Sequence, residues 1–234
     1  FAIPMFFSSY DEYRAVRAKL EPVLKQKLEA KGLVFLSWGD TGWVYLFSKG
    51  PVPNVDALKK QRLYTSAGED AFVQLYKQNG FNPRPLPFTE IQSGLMTGLL
   101  DAVPSTPLAT LAFQWYRNVP EMLDLGVGPL AGGTVIDAKT WNSIQQSDRD
   151  QILALAKKMQ DGLDKDVPAQ DTQARAEMVK RGLKITAPDA AAARGFREMA
   201  DKFAASMKGG VVPAEIYDQA TREREAFRKT RGTK

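Results

Sequence analysis

Cysteine and histidine are both absent from this 234-residue chain. Without them there is no Ser-His-Asp triad, no Cys-His nucleophile and no ordinary zinc site, and most common hydrolase mechanisms go with these. Lack of cysteine is compatible with an oxidising compartment without requiring one. No apolar run reaches the roughly 18 residues that a membrane-spanning helix needs. The glycine-rich stretch Gly126 to Gly133 is not followed by Lys-Ser/Thr, so it is no phosphate-cradling loop and reads as a flexible connection. The chain opens at Phe1 inside sequence of folded character, and the expectation is that any targeting segment has been removed or lies outside it.

What is present describes an ordinary globular chain, 44% hydrophobic and 25% charged, long enough for one large domain or two lobes of about 100 residues. Lysine and arginine number 32 against 27 acidic residues, a net charge of +5, with the excess toward the C-terminus (Arg222, Arg224, Arg228, Lys229, Arg231, Lys234). Glu223 and Glu225 interleave with these cations and no aromatic platform accompanies them. A solvated helix face is therefore expected there rather than a nucleic-acid site.

The chain is organised around Leu58 to Pro107. A strand around Gln61 to Thr65, a helix from about Ala67 to Asn79, a strand around Pro83 to Pro87, an amphipathic helix and a strand at Leu100 to Val103 form a β-α-β-α-β run. Ser66 and Glu69 have capping-box spacing, and Gly80 stands where a left-handed helix stop is wanted. Crossovers of this kind are right-handed and imply a mainly parallel sheet, whose ligands sit beyond the carboxyl ends of the strands. A pocket walled by the turns after Tyr64 and after Ser105 is expected.

Around this core the pattern continues. Phe1 to Phe7 reads as a buried segment, and Ser9 with Glu12 opens an amphipathic helix ended by Gly32. Leu33 to Ser37 and Trp43 to Ser48 read as strands, and Gly50 to Asn54 as a break that marks a candidate lobe boundary. Thr106 caps and Pro107 begins a short helix. Met122 to Leu125 and Gly133 to Asp137 read as strands. Ser147 to Gly182 is helical with a break near Pro168; a last strand at Leu183 to Thr186 and two further helices follow.

In order and wording these segments resemble the periplasmic solute-binding proteins of tripartite ATP-independent (TRAP) transporters. The marks are Ala57 to Ser66 (ALKKQRLYTS), Gly80 to Pro87, Ile91 to Asp101 (IQSGLMTGLLD) and Gly133 to Ile144 (GTVIDAKTWNSI). The resemblance implies an α/β, two-lobed clamshell with mainly parallel sheets, hinge strands and a long helix spanning both lobes. Residues 1–41 and 130–169 would belong to lobe I, 42–129 and 170–209 to lobe II, and 210–234 to a C-terminal helix. It also implies a further N-terminal portion of lobe I ahead of Phe1. Such a protein captures a small organic acid and delivers it to membrane permease subunits from the periplasm, as a monomer when full length. It is not an enzyme and uses no cofactor.

By that likeness the arginine that holds the ligand carboxylate falls at Tyr64, and Arg62 falls at the lysine two places earlier. Residues 62 and 64 share a strand face, so Arg62 is the expected substitute, about 7 Å back along the strand. A tyrosine offers one hydroxyl and a flat apolar face where a guanidinium offers a two-oxygen grip. The expected ligand is less acidic, more aromatic or bulkier than the family's usual acids. The candidate ligand-binding residues are Tyr64, Arg62, Ser105, Thr106 and Trp38. Two other classes stay open: an α/β enzyme with Asp40 and Asp101 as acid and base, and a ligand-sensing protein of the same fold.

Overall fold

Two antiparallel strand pairs run end to end and join the two halves of the molecule, whose computed structural model describes residues 1–231. Helix α1 (Tyr10–Glu29) leads into β1 (Leu33–Trp38), then β2 (Trp43–Ser48), α2 (Val55–Lys60), β3 (Arg62–Ser66), α3 (Asp70–Gln78), β4 (Asn82–Leu86), α4 (Ile91–Thr97), β5 (Ala102–Ser105) and α5 (Pro107–Ala112). Strands β6 (Glu121–Pro129) and β7 (Gly133–Asp137) follow, then α6 (Ala138–Ser143), α7 (Gln146–Lys180), β8 (Lys184–Thr186), α8 (Ala190–Met207) and α9 (Ala214–Arg231). Strands β1 and β7 make a two-stranded antiparallel sheet, and the other six pair in the order β4-β3-β5-β2-β6-β8. Within the larger sheet β2 runs against β5 and β6, while β3–β4, β3–β5 and β6–β8 are parallel. Five of its six strands therefore share one direction, as the β-α-β reading requires.

Apolar residues fill both faces of this sheet. Phe47, Val103 and Met122 lie on the face covered by α4, Trp115 and Met178. Leu46, Leu63 and Leu123 lie on the other, beneath Phe196 and Phe203 of α8, and that core extends through Phe6 and Phe7 to Tyr13, Val16 and Leu20 of α1. The N-terminal segment is thus buried, as its composition predicts.

Several expectations are corrected. Ser66 ends β3 and caps nothing; α3 begins at Asp70 behind Glu69, which makes no capping bond. The β5 strand starts two residues later than the apolar pattern indicates. Gly126 and Gly128 are not in a flexible connection, because β6 continues to Pro129. A side chain at 126 would drive its Cβ into the Trp43 indole nitrogen, so glycine there leaves room for the ring against the strand. Gly50 to Asn54 joins β2 to α2 rather than one sheet to the other.

Pro168 does not break α7, which runs unbroken from Gln146 to Lys180. A proline inside a helix leaves the carbonyl four residues earlier without its amide donor. That carbonyl belongs to Asp164, and the Arg14 guanidinium donates to it. The basic C-terminal helix is not a free solvated face either. Arg228 binds the buried Glu12, Arg231 binds Asp11, and the Arg224 guanidinium sits 3.9 Å from the centre of the Phe6 ring. Lys234 lies outside the described residues.

Candidate functional site

The chain passes between the two sheets twice, at residues 39–42 and 130–132, and the two passages are bonded to each other. Gly39 and Gly132 exchange N–H···O=C bonds of 2.8 and 3.1 Å, Thr41 N–H donates to Leu130 at 3.0 Å, and Leu130 N–H donates to Gly42 at 2.8 Å. Helix α7 clamps both sides of this crossing. On one side Gln160 accepts the Trp38 N–H at 3.1 Å, and on the other Asp171 accepts the Trp43 N–H at 2.8 Å. Eleven residues of helix separate the two anchors, about 16 Å of rigid rod.

Asp171 is the centre of the crossing. Besides Trp43 it accepts the Leu108 N–H at the start of α5 and the Tyr10 hydroxyl of α1, both at 3.2 Å. Four elements therefore meet on one carboxylate. Burial pushes its pKa up, partly countered by these donors. Burial and the carboxylate also push the Tyr10 hydroxyl up, so it stays a donor. Gly42 makes the approach possible, since a Cβ there would lie 2.6 Å from an Asp171 oxygen and its φ is +132°. A second network holds α1 on the crossing: Asp40 accepts from Tyr13 at 2.7 Å and from Arg17 at 2.8 Å, and Arg17 also binds Asp164 at 2.7 Å.

The carboxyl edge of the six-stranded sheet lies at this crossing. There Tyr45 stands opposite Ser105 across the β2–β5 pair, and Arg175, one helical turn beyond Asp171, donates to the Tyr45 hydroxyl at 3.3 Å and to Asp124 at 2.7 Å. The guanidinium carbon is 5.0 Å from the centre of the Tyr45 ring. Among the described residues Arg175 makes these two side-chain bonds and remains 27% exposed, and a guanidinium carries five N–H donors.

The residues singled out in the sequence are distributed unequally around this edge. Tyr64 is half-buried on the same strand face as Ser66, whose Oγ is 3.5 Å from its hydroxyl. Ser105 is buried and its hydroxyl donates to the Thr106 carbonyl at 3.3 Å, while the Thr106 hydroxyl caps α5 by accepting the Ala109 N–H at 3.2 Å. Arg62 is at the opposite end of β3, about 13 Å away along the strand. Its fork grips Asp101 through two bonds of 2.6 Å, and this pairing holds the Asp101 carboxyl below its usual range. Trp38 belongs to the α1–β1 side, where its indole N–H donates to Glu21 at 2.7 Å and its ring packs edge-on against Phe1. Asp40 and Asp101 are held by different arginines in different parts of the fold, so they form no acid–base pair. Among the described residues no group of three or more acidic, histidine or cysteine side chains is placed to hold a metal ion.

Asp171, Arg175, Tyr45 and Asp124 are not found by motif reading. The signal for the first is that residues 167, 171, 174 and 178 form the buried stripe of α7 at alternating spacings of four and three. A carboxylate inside such a stripe must be serving several donors. Two cavities lie nearby. One, of about 420 Å³, is an open groove between α5 and α7 that includes Leu108, Leu111 and Gln173, and the other, of about 100 Å³, lies on the opposite sheet face beside Pro104; neither is lined by Tyr64 or Ser105.

Known proteins agree with this architecture. An Escherichia coli 2,3-diketo-L-gulonate-binding periplasmic protein, YiaO, is 31% identical over 99 residues, which is 42% of this chain and 30% of that protein's length. A Bordetella pertussis extracytoplasmic solute receptor binding pyroglutamic acid superposes with a TM-score of 0.86 at 16% identity, covering 96% of this chain and 73% of that one. The ectoine-binding protein of a Halomonas elongata TRAP transporter gives 0.86 at 16% identity, over 97% and 75%, and a Haemophilus influenzae TRAP solute-binding protein with bound L-gulonate gives 0.84 at 19%, over 96% and 73%. At these identities the structural likeness establishes the fold alone, a two-lobed α/β architecture. The sequence profile of the bacterial extracellular solute-binding proteins, family 7, matches residues 1–208. This chain belongs to that family of extracytoplasmic solute-binding proteins.

Proposed function

We propose that the protein is the solute-capturing component of a TRAP-type transporter, working outside the cytoplasm as a binding protein rather than an enzyme. It holds a small organic acid between two lobes and hands it to a membrane permease. The two sheets mark the lobes, and the bonded passages at residues 39–42 and 130–132 are the hinge strands. The family match supports the role. The observation that carries the reading is that both passages, the carboxyl edge of the large sheet and the anchored face of α7 converge on one place, where a ligand bridging the lobes would favour closure.

Arg175 takes the acid's charge in this scheme, and Tyr64 and Ser105 line the rest of the site. Arg62 is left out because its fork is filled by Asp101 at the wrong end of the strand. Trp38 is left out because it lies on the α1–β1 side with its indole N–H committed to Glu21, and Thr106 because it is only 1% exposed beneath the α5 cap it makes.

The test is calorimetric titration of small carboxylates, among them pyroglutamate, aldonates and aromatic acids, with their amides as controls. Arg175→Met is expected to weaken an acid ten- to a hundredfold while barely changing its amide, the loss of a charge-assisted hydrogen bond. Tyr64→Ala weakens both, and Arg62→Ala neither. Absence of binding by every acid in the panel sinks the proposal. Equal losses for acid and amide in Arg175→Met sink its assignment as the carboxylate donor.

A further inference from the structure

The cavity of about 100 Å³ on the far face of the six-stranded sheet lies between Leu46 and Leu63 of the sheet, Met199 and Phe203 of α8, Tyr76 of α3 and Met5 of the N-terminal segment. Tyr76 is the one lining residue with a nitrogen or oxygen in its side chain. Among the described residues its hydroxyl has no hydrogen-bond partner, and burial with the nearby Glu69 charge pushes it up to about 12, so it stays a protonated donor. Its lining gives an occupant almost no polar partners, and apolar cavities of about this size accept single-ring molecules or xenon. One wall is under strain. Met5 holds a φ of +53°, which is costly for a residue with a side chain, and its N–H is pinned to the Val127 carbonyl. Met5 and Met199 are unbranched and polarizable, so the lining adapts to its occupant.

We propose that this cavity is a second ligand site, separate from the site between the lobes, for a small uncharged molecule about the size of one aromatic ring, with one hydrogen-bond acceptor for the Tyr76 hydroxyl. It is distinct in chemistry from organic-acid capture, since an ionised group would find no charged side chain in the lining to pair it.

Benzene and phenol are the probes, titrated while thermal unfolding is followed. At ten times the dissociation constant benzene is expected to raise Tm by about 3–6 °C. Ala200→Leu, which adds an isopropyl group to the lining, abolishes that rise and leaves the response to organic acids unchanged. Tyr76→Phe weakens phenol about tenfold relative to benzene. A Tm that ignores benzene, or that rises equally in Ala200→Leu, overturns the proposal whatever the organic acids do. If Ala200→Leu does not fold, xenon NMR on the unaltered protein decides the matter. A saturating xenon shift seen with folded but not with urea-unfolded protein supports the cavity, and identical shifts overturn it.

Discussion

Asp171 does at residue scale what no sequence motif announces: one buried carboxylate accepts from a β2 amide, an α5 amide and the Tyr10 hydroxyl. Because burial raises its pKa, the folded state binds a proton at higher pH than the unfolded state does. Its contribution is fully present below the unfolded pKa and is lost as pH rises through the raised folded value. Asp171→Asn, which keeps an acceptor and removes the charge, is expected to stay within about 1 kcal/mol of the parent. Urea titrations across the acid range should then show a flatter dependence of stability on pH, and an unchanged slope would refute the assignment. Asp171→Ala leaves two main-chain donors unpaired and should cost about 2–4 kcal/mol. Gly42→Ala meets the same carboxylate and a φ of +132°, with an expected loss of about 2–3 kcal/mol in the same assay. In sequence Gly42 is one more turn residue and Asp171 one more helical acid. Their dependence on each other crosses more than a hundred positions and has no local signature.

At the scale of elements, helix α7 shows why a proline alone is a poor boundary signal. The rule that proline breaks helices rests on a missing donor and a clash with the preceding turn. Here Arg14 of a different helix supplies a donor for the stranded Asp164 carbonyl. The compensation is testable as a double-mutant cycle of Arg14→Met and Pro168→Ala. Arg14→Met should destabilise the parent more than it destabilises the Pro168→Ala variant, by about 0.5–1.5 kcal/mol; additivity would remove the explanation. The same scale accounts for α9. Glu12 is buried, and although burial raises its pKa, the bonds from Arg228 and Ser8 outweigh that and hold it low. Stability from this pair is present above the unfolded pKa and lost as pH falls through the folded one. Arg228→Met should therefore cost about 1–3 kcal/mol near neutrality, allowing for a half-exposed arginine, and the deficit should shrink on acidification. A deficit that does not change with pH would mean that α9 is held by packing alone.

For the molecule as a whole, the two sheets differ in how well they are supported. The six-stranded sheet is packed on both faces, whereas among the described residues β1 pairs only with β7, and a two-stranded sheet has fewer ladder bonds to hold it. In this chain amide exchange is expected to be slowest in β2, β5 and β6 and appreciably faster in β7, whose residues are mostly exposed. Uniform protection across both sheets would contradict this.

Apolar periodicity, turn residues and the order of segments determined the element types, the direction of most strands and the family, because each depends on short-range spacing that the chain carries in itself. The tertiary structure alone decided which carboxylate each arginine meets, since Arg62 and Arg175 are both basic residues on regular elements and only packing places Asp101 against the first and Asp124 against the second. It also decided that Pro168 lies within a continuous helix and that Gly126 lies within a strand. In each case a side chain distant in sequence supplies or occupies what the local rule treats as missing, and no window of neighbouring residues contains that partner.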